Sequence, residues 1–134
     1  MNIMTDYSAA LKLKKMEILE GYFKKSEFNL QEDLSLSVSR QIKKINNCYD
    51  VFLDVRLSSE DDSISLAVKA KAVFETNISN EKLVERNGIA IMFPYVRSYV
   101  SLLTTQPGMP PIILPALNII AMIEAQEKNR IADE

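Results

Sequence analysis

An α+β fold, with a four-stranded antiparallel sheet packed against two C-terminal helices, is the class this sequence predicts, and three observations predict it. Apolar and polar residues alternate through the first half, apolar residues recur at three- and four-residue steps in the second, and a proline-rich connector interrupts the second half. With 134 residues the chain has room for one core and little to spare for another, so residues 1–134 are expected to form one domain.

The strands come in order. Leu11, Leu13, Met16 and Ile18 alternate with Lys12, Lys14, Lys15 and Glu17, but the phase slips at the two adjacent lysines, which predicts a bulged first strand. Gly21 offers a further bend before Tyr22 and Phe23. Leu34, Leu36 and Val38 alternate with Ser35, Ser37 and Ser39, a second strand continuing towards Ile45. Asn46 and Asn47 supply turn chemistry before a third strand, in which Val51, Leu53, Val55 and Leu57 share a face. After the polar, acidic residues 58–63, a fourth strand carries Ile64, Leu66, Val68, Ala70, Ala72 and Phe74 on one face. Ser65, Ala67, Lys69 and Lys71 occupy its other face, so one side of the sheet should be more completely buried. The short turns between strands two, three and four suit an antiparallel meander and cannot carry a parallel crossover.

Beyond Asn80 the period changes. Met92, Val96, Tyr99, Val100 and Leu103 predict an amphipathic helix over residues 89–103, with Pro94 in its first turn or at a kink. Three of the five prolines fall in residues 106–111, a stiff connector. Pro115 then suits the first turn of a second helix over residues 115–128, apolar at its beginning and polar at its end.

Composition narrows the function. A net charge of −2 gives no broad positive field, so nucleic acid is not an expected partner. Residues 1–10 lack the basic start and apolar core of a secretory signal, and residues 112–123 are too short and too interrupted for a membrane span. A cytoplasmic protein without stable membrane insertion is expected, and Cys48, the single cysteine, suits a reducing compartment. Without histidine, and with one cysteine and three glycines, the chain offers no usual zinc site, no Ser/His or Cys/His pair, no P-loop and no dinucleotide fingerprint. No metal, cofactor or enzymatic activity is expected. The acidic run Glu60, Asp61 and Asp62 reads as a solvated turn.

The segment Ile91-Met92-Phe93-Pro94-Tyr95-Val96-Arg97 resembles the Phe-Pro-Tyr-x-Arg helix motif of the SecB chaperones. The similarity continues through the proline-rich connector into Leu114-Pro115-Ala116-Leu117-Asn118, which resembles the stretch that opens the family's last helix. The resemblance implies an ATP-independent holdase for unfolded or precursor polypeptides, assembled as a homotetramer from two dimers. It implies export as the leading setting, with precursors kept export-competent and passed to the SecA motor, and as the alternative a toxin-antitoxin system in which an antitoxin is protected. Where export members present acidic residues to SecA, the corresponding faces here carry Lys24, Lys69 and Lys71, with Glu17 and Glu20 nearby.

A holder of unfolded chains needs a broad apolar trough with an adaptable lining. Met109, Ile112, Ile113, Leu114, Leu117 and Ile120 are the expected client-binding residues, because Pro107, Pro110 and Pro111 deny this stretch regular structure and keep it extended. Met92 and Met122 suit the core equally well. Phe93, Pro94, Tyr95 and Arg97 are expected to shape the first helix and the oligomer interface. A reading of another class, a small-amphiphile-binding module, lacks a convergent charged pair to orient its ligand.

Overall fold

Side-chain alternation decides how the sheet is faced. In the computed structural model, which describes residues 11–27, 33–115 and 117–132, four strands form β1 (Lys12–Lys25), β2 (Leu34–Ile45), β3 (Cys48–Ser59) and β4 (Ile64–Glu75). All neighbours are antiparallel, in the order β1-β4-β3-β2, so β1 and β2 are the edges. Val51, Leu53, Val55 and Leu57 of β3 and Leu66, Val68, Ala70 and Phe74 of β4 turn to one face and are buried there. The other face is mixed, with Asp50, Asp54, Lys69 and Lys71 beside Phe52, Ala67 and Val73. The reading of residues 1–10 lies outside the described residues.

The turns use the residues the sequence offers. Ile45 and Cys48 pair across a two-residue turn in which Asn46 is left-handed at φ 58, a conformation asparagine tolerates. Between β3 and β4 the acidic run is a turn: the Asp61 carboxylate accepts from Ser59 Oγ and from the Ser63 N–H, both at 3.0 Å. In β1 a bulge falls between Leu13 and Lys15, where the alternation slips. The second irregularity comes between Ile18 and Glu20, before the glycine expected to bend the strand. Gly21 has another use. A Cβ there would lie 2.3 Å from Tyr99 Oη, so the bare backbone is what lets the first helix seat its tyrosine against β1.

That helix, α1 (Glu81–Leu103), begins well before the expected residue 89. Asn80 caps it, its side chain accepting from the Leu83 N–H at 3.2 Å. The first turns are polar and bury only Val84, which hides them from a search for apolar periodicity. Val84, Gly88, Ile89, Met92, Phe93, Val96 and Val100 then line the face laid on the sheet. Pro94 lies inside the helix and not in its first turn, on the exposed side. Lacking an N–H, it leaves the Ala90 carbonyl without its intrahelical donor.

The second helix, α2 (Ile119–Ala132), starts later than expected. Pro115 is outside it, and Asn118 caps it by accepting from the Ala121 N–H at 3.1 Å. Ile119 and Ile123 anchor α2 in the same core as Met92 and Phe74, while Leu36, Val38 and Ile42 of β2 pack at the margin. No described helix is long and apolar enough to cross a membrane.

Candidate functional site

The connector between the helices is a strap laid along α1. It opens with a turn in which the Met109 N–H donates to the Gln106 carbonyl at 3.3 Å. Pro107 and Gly108 occupy the central positions, and Gly108 takes φ 85, which suits a type II turn. The strap then runs back beside the helix, held by side chains of α1 and of its C-cap, Thr104. The Ile112 N–H donates to Thr104 Oγ1 at 2.8 Å, Ser101 Oγ donates to the Ile112 carbonyl at 3.1 Å, and Arg97 Nε donates to the Leu114 carbonyl at 2.6 Å. Residues 97, 101 and 104 recur at helical spacing and so share a face. The backbone groups that Pro110 and Pro111 exclude from regular structure thus find side-chain partners in α1.

This tether sets which apolar residues face outwards. Leu114 is 2% exposed and belongs to the core. Ile113, beside it, is 67% exposed. Met109, Ile112, Leu117 and Ile120 are half-buried. Leu117, just before α2, and Ile120, within it, pack at the core margin. Of the motif, Phe93 is buried, Pro94 and Tyr95 are exposed, and Arg97 grips the strap. Met92 is fully buried.

The turn at the head of the strap faces β1 across an open cleft of about 570 Å³. Gly21, Tyr22, Phe23 and Lys25 of β1 line one wall and Leu103, Gln106 and Pro107 the other. The expected residues from Met109 onwards do not line it. Tyr22, Phe23 and Leu103 were legible only as members of regular elements; the signal available was a pair of aromatics following a strand glycine.

A second junction holds α2. Arg40 falls on the inner face of β2, in the alternation Leu36, Val38, Arg40, Ile42. Its Nε donates to Glu85 of α1 at 2.7 Å, Nη1 to Gln126 at 2.6 Å and Nη2 to Glu127 at 3.3 Å. Gln126 in turn donates to the Val38 carbonyl at 3.1 Å. Arg86 of α1 reaches Glu127 at 3.1 Å and Glu124 at 3.5 Å. The hydrogen bond from Arg86, more than any other influence, holds the Glu127 carboxyl below the usual glutamate range.

The mixed sheet face is largely self-neutralised. Lys69 pairs with Glu20 at 3.8 Å, Lys71 with Asp50 at 3.7 Å, and Arg56 with Asp54 at 3.3 Å. Asp50 and Asp54 therefore join Glu17 and Glu20 among the carboxylates there, beyond those expected. The ammonium groups of Lys43 and Lys71 also lie over the Phe52 ring, at 5.4 and 5.8 Å from its centre.

Comparison with known proteins gives this geometry its relatives. An uncharacterised protein of Methanocaldococcus jannaschii is 40% identical over 52 residues, which cover 36% of this chain and 34% of the relative. The protein-export protein SecB of Methylibium petroleiphilum is 30% identical over 105 residues, 73% of this chain and 64% of the relative. The chain thus matches about a third of the first relative and under two thirds of the second. Among solved structures, a SecB-like chaperone of Mycobacterium tuberculosis, in complex with a ChAD peptide from an antitoxin, superposes with a TM-score of 0.67 at 17% identity, covering 81% of this chain and 88% of that one. A Streptococcus agalactiae protein of unknown function gives a TM-score of 0.51 at 11% identity, covering 79% and 97%. These two likenesses show a shared fold. The family model described as preprotein translocase subunit SecB matches residues 2–130, nearly the whole length, and this chain belongs to the SecB family.

Proposed function

We propose that the protein is an ATP-independent chaperone that holds unfolded or precursor polypeptides in the cytoplasm, with no catalytic step. The observation that carries this reading is the strap: an extended segment, fixed by its backbone to α1, that leaves Ile113 exposed and has an open cleft at its head. Ile113 is exposed on the strap, and Tyr22 is 46% exposed at the cleft wall. Side chains of this kind cover apolar stretches of a client while making few demands on its sequence. Met109 adds an adaptable contact.

Assembly as a homotetramer, a dimer of dimers, accounts for a second exposed surface. Ile91, Tyr95 and Leu102 lie close together in helical projection on the outer side of α1, with Tyr95 54% and Leu102 70% exposed. An antitoxin is the favoured client class over an export precursor handed to SecA. The solved chaperone of similar fold carries an antitoxin peptide, and on the sheet face here Lys69 and Lys71 are paired with Glu20 and Asp50.

Aggregation of a reduced, unfolded model protein, followed by light scattering without nucleotide, tests the reading. Near-stoichiometric chaperone should suppress it. Met109→Ser combined with Ile113→Ser should weaken protection while leaving circular dichroism and solution mass unchanged. Full protection by a folded double variant would place the client elsewhere, and no protection by the parent chain would refute the function.

A further inference from the structure

We infer that α2 is an internal occupant of a client trough between β2 and α1, and that the clients able to replace it are apolar segments bearing carboxylates. The inference rests on the holdase reading above and assigns that activity a second surface and a ligand chemistry. Three observations carry it. The apolar anchors of α2 are few: Ile119 and Ile123 are buried, whereas Ile120 and Met122 are only half-covered. What fastens its later turns is polar, because Glu124, Gln126 and Glu127 meet Arg86 and Arg40 on the two walls of the trough. An arginine in the inner-face stripe of β2 interrupts an otherwise apolar wall, and its side chain is only 16% exposed.

The cationic side of this junction belongs to the walls and the anionic side largely to α2. Removing α2 would leave Arg40 with Glu85 alone and would leave Arg86 with neither of its two glutamates. Even with α2 in place, Arg86 Nε is buried with no hydrogen-bond partner among the described residues, so the walls hold a donor that the described part of α2 does not use. A guanidinium binds a carboxylate more strongly than it binds a neutral acceptor. An arriving segment that supplies apolar side chains and two carboxylates about one helical turn apart would therefore replace both kinds of contact at once, whereas a lysine-bearing segment would meet like charge. Gln126 has a further part, since its bond to the Val38 carbonyl occupies a backbone group of the edge strand β2.

The test uses the full chain and two fluorescent peptides of identical apolar sequence, one with two glutamates three residues apart and one with lysines in their place. The parent, the double variant Glu124→Gln with Glu127→Gln, and the same double variant with Arg86→Gln are compared by anisotropy, and hydrogen exchange follows residues 119–129. In the double variant, exchange should rise and affinity for the acidic peptide should increase about ten-fold, because the competing occupant is weakened. Affinity for the basic peptide should change much less. Adding Arg86→Gln should bring the two peptides to within about two-fold of each other. Equal gains for both peptides would refute the charge reading while leaving the holdase function standing. Raised exchange without gain in affinity would refute α2 as a competitor, and unchanged exchange would refute the glutamates as its fastening. Failure of every variant to bind either peptide or to protect an unfolded protein would remove the holdase reading together with this inference.

Discussion

Replacing Gly21 with alanine tests how β1 meets α1. The added methyl would stand 2.3 Å from Tyr99 Oη, 2.8 Å from Cε1 and 3.0 Å from Cζ. Ordinary carbon contacts lie at roughly 3.5–4.0 Å, so the ring or the strand must give way by on the order of 1 Å. Overpacking of this kind costs about 1–3 kcal/mol. The alanine recovers roughly 0.4–1 kcal/mol by restricting the unfolded chain. A net loss of about 1–2 kcal/mol is expected, read as a lower urea midpoint at unchanged slope and fixed protein concentration. Tyr99→Ala removes the obstacle. On that background Gly21→Ala should be neutral or stabilising by up to about 1 kcal/mol, and the cycle should give a coupling of at least about 1 kcal/mol. A Gly21→Ala cost that is the same with and without the ring would refute the contact. Because Gly21 lines the cleft at the head of the strap, a confirmed displacement should also alter client protection.

The strap and α2 give three further tests. Thr104→Val should cost about 1–3 kcal/mol, because Thr104 is fully buried and its hydroxyl both accepts from the Ile112 N–H and donates to the Val100 carbonyl; calorimetry and faster exchange at Ile112 would show it, and an unchanged melting temperature would not fit. Arg40→Met should destabilise by roughly 3 kcal/mol by leaving Glu85 uncompensated, whereas Arg40→Met with Glu85→Met should recover most of the loss; denaturant unfolding of the two variants decides. Acid should loosen α2. Glu127 is held below the ordinary glutamate range by Arg86, with Lys82 and Arg40 contributing, so its stabilisation is present above the unfolded-state carboxylate pKa and is lost as pH falls through the lower folded value. Exchange of residues 119–129 should therefore rise on acidification in the parent and change less in Glu127→Gln.

Period-two alternation made the strands legible because one sheet face is buried and a one-residue slip would expose it. The first bulge was visible for the same reason, as a lapse in alternation at Lys14 and Lys15. The start of α1 was not, because the cap at Asn80 precedes two turns that bury little. Pro115 was misread as a helix start because a proline fits a first turn equally well as it fits an extended strap. The difference is made by Arg97, seventeen residues upstream of the carbonyl it holds. At the candidate site, the apolar content of the strap was readable, but which side chains face outwards depends on that tether. The role of Arg40 lay beyond local pattern altogether, since its partners come from α1 and from residues 86 and 87 positions later in the chain.

Pro94 divides the unfolding behaviour of α1. With the Ala90 carbonyl deprived of its intrahelical donor, the hydrogen-bond ladder is weakest between the half that meets β2 through Glu85 and α2 through Arg86 and the half that carries Arg97 and Ser101 and ends at the Thr104 cap. Each half is stabilised by a different appendage, one by ion pairs and the other by the strap's backbone. The helix should therefore open as two cooperative units: salt would lower amide protection selectively before the proline, and a strap variant such as Thr104→Val would lower it selectively after.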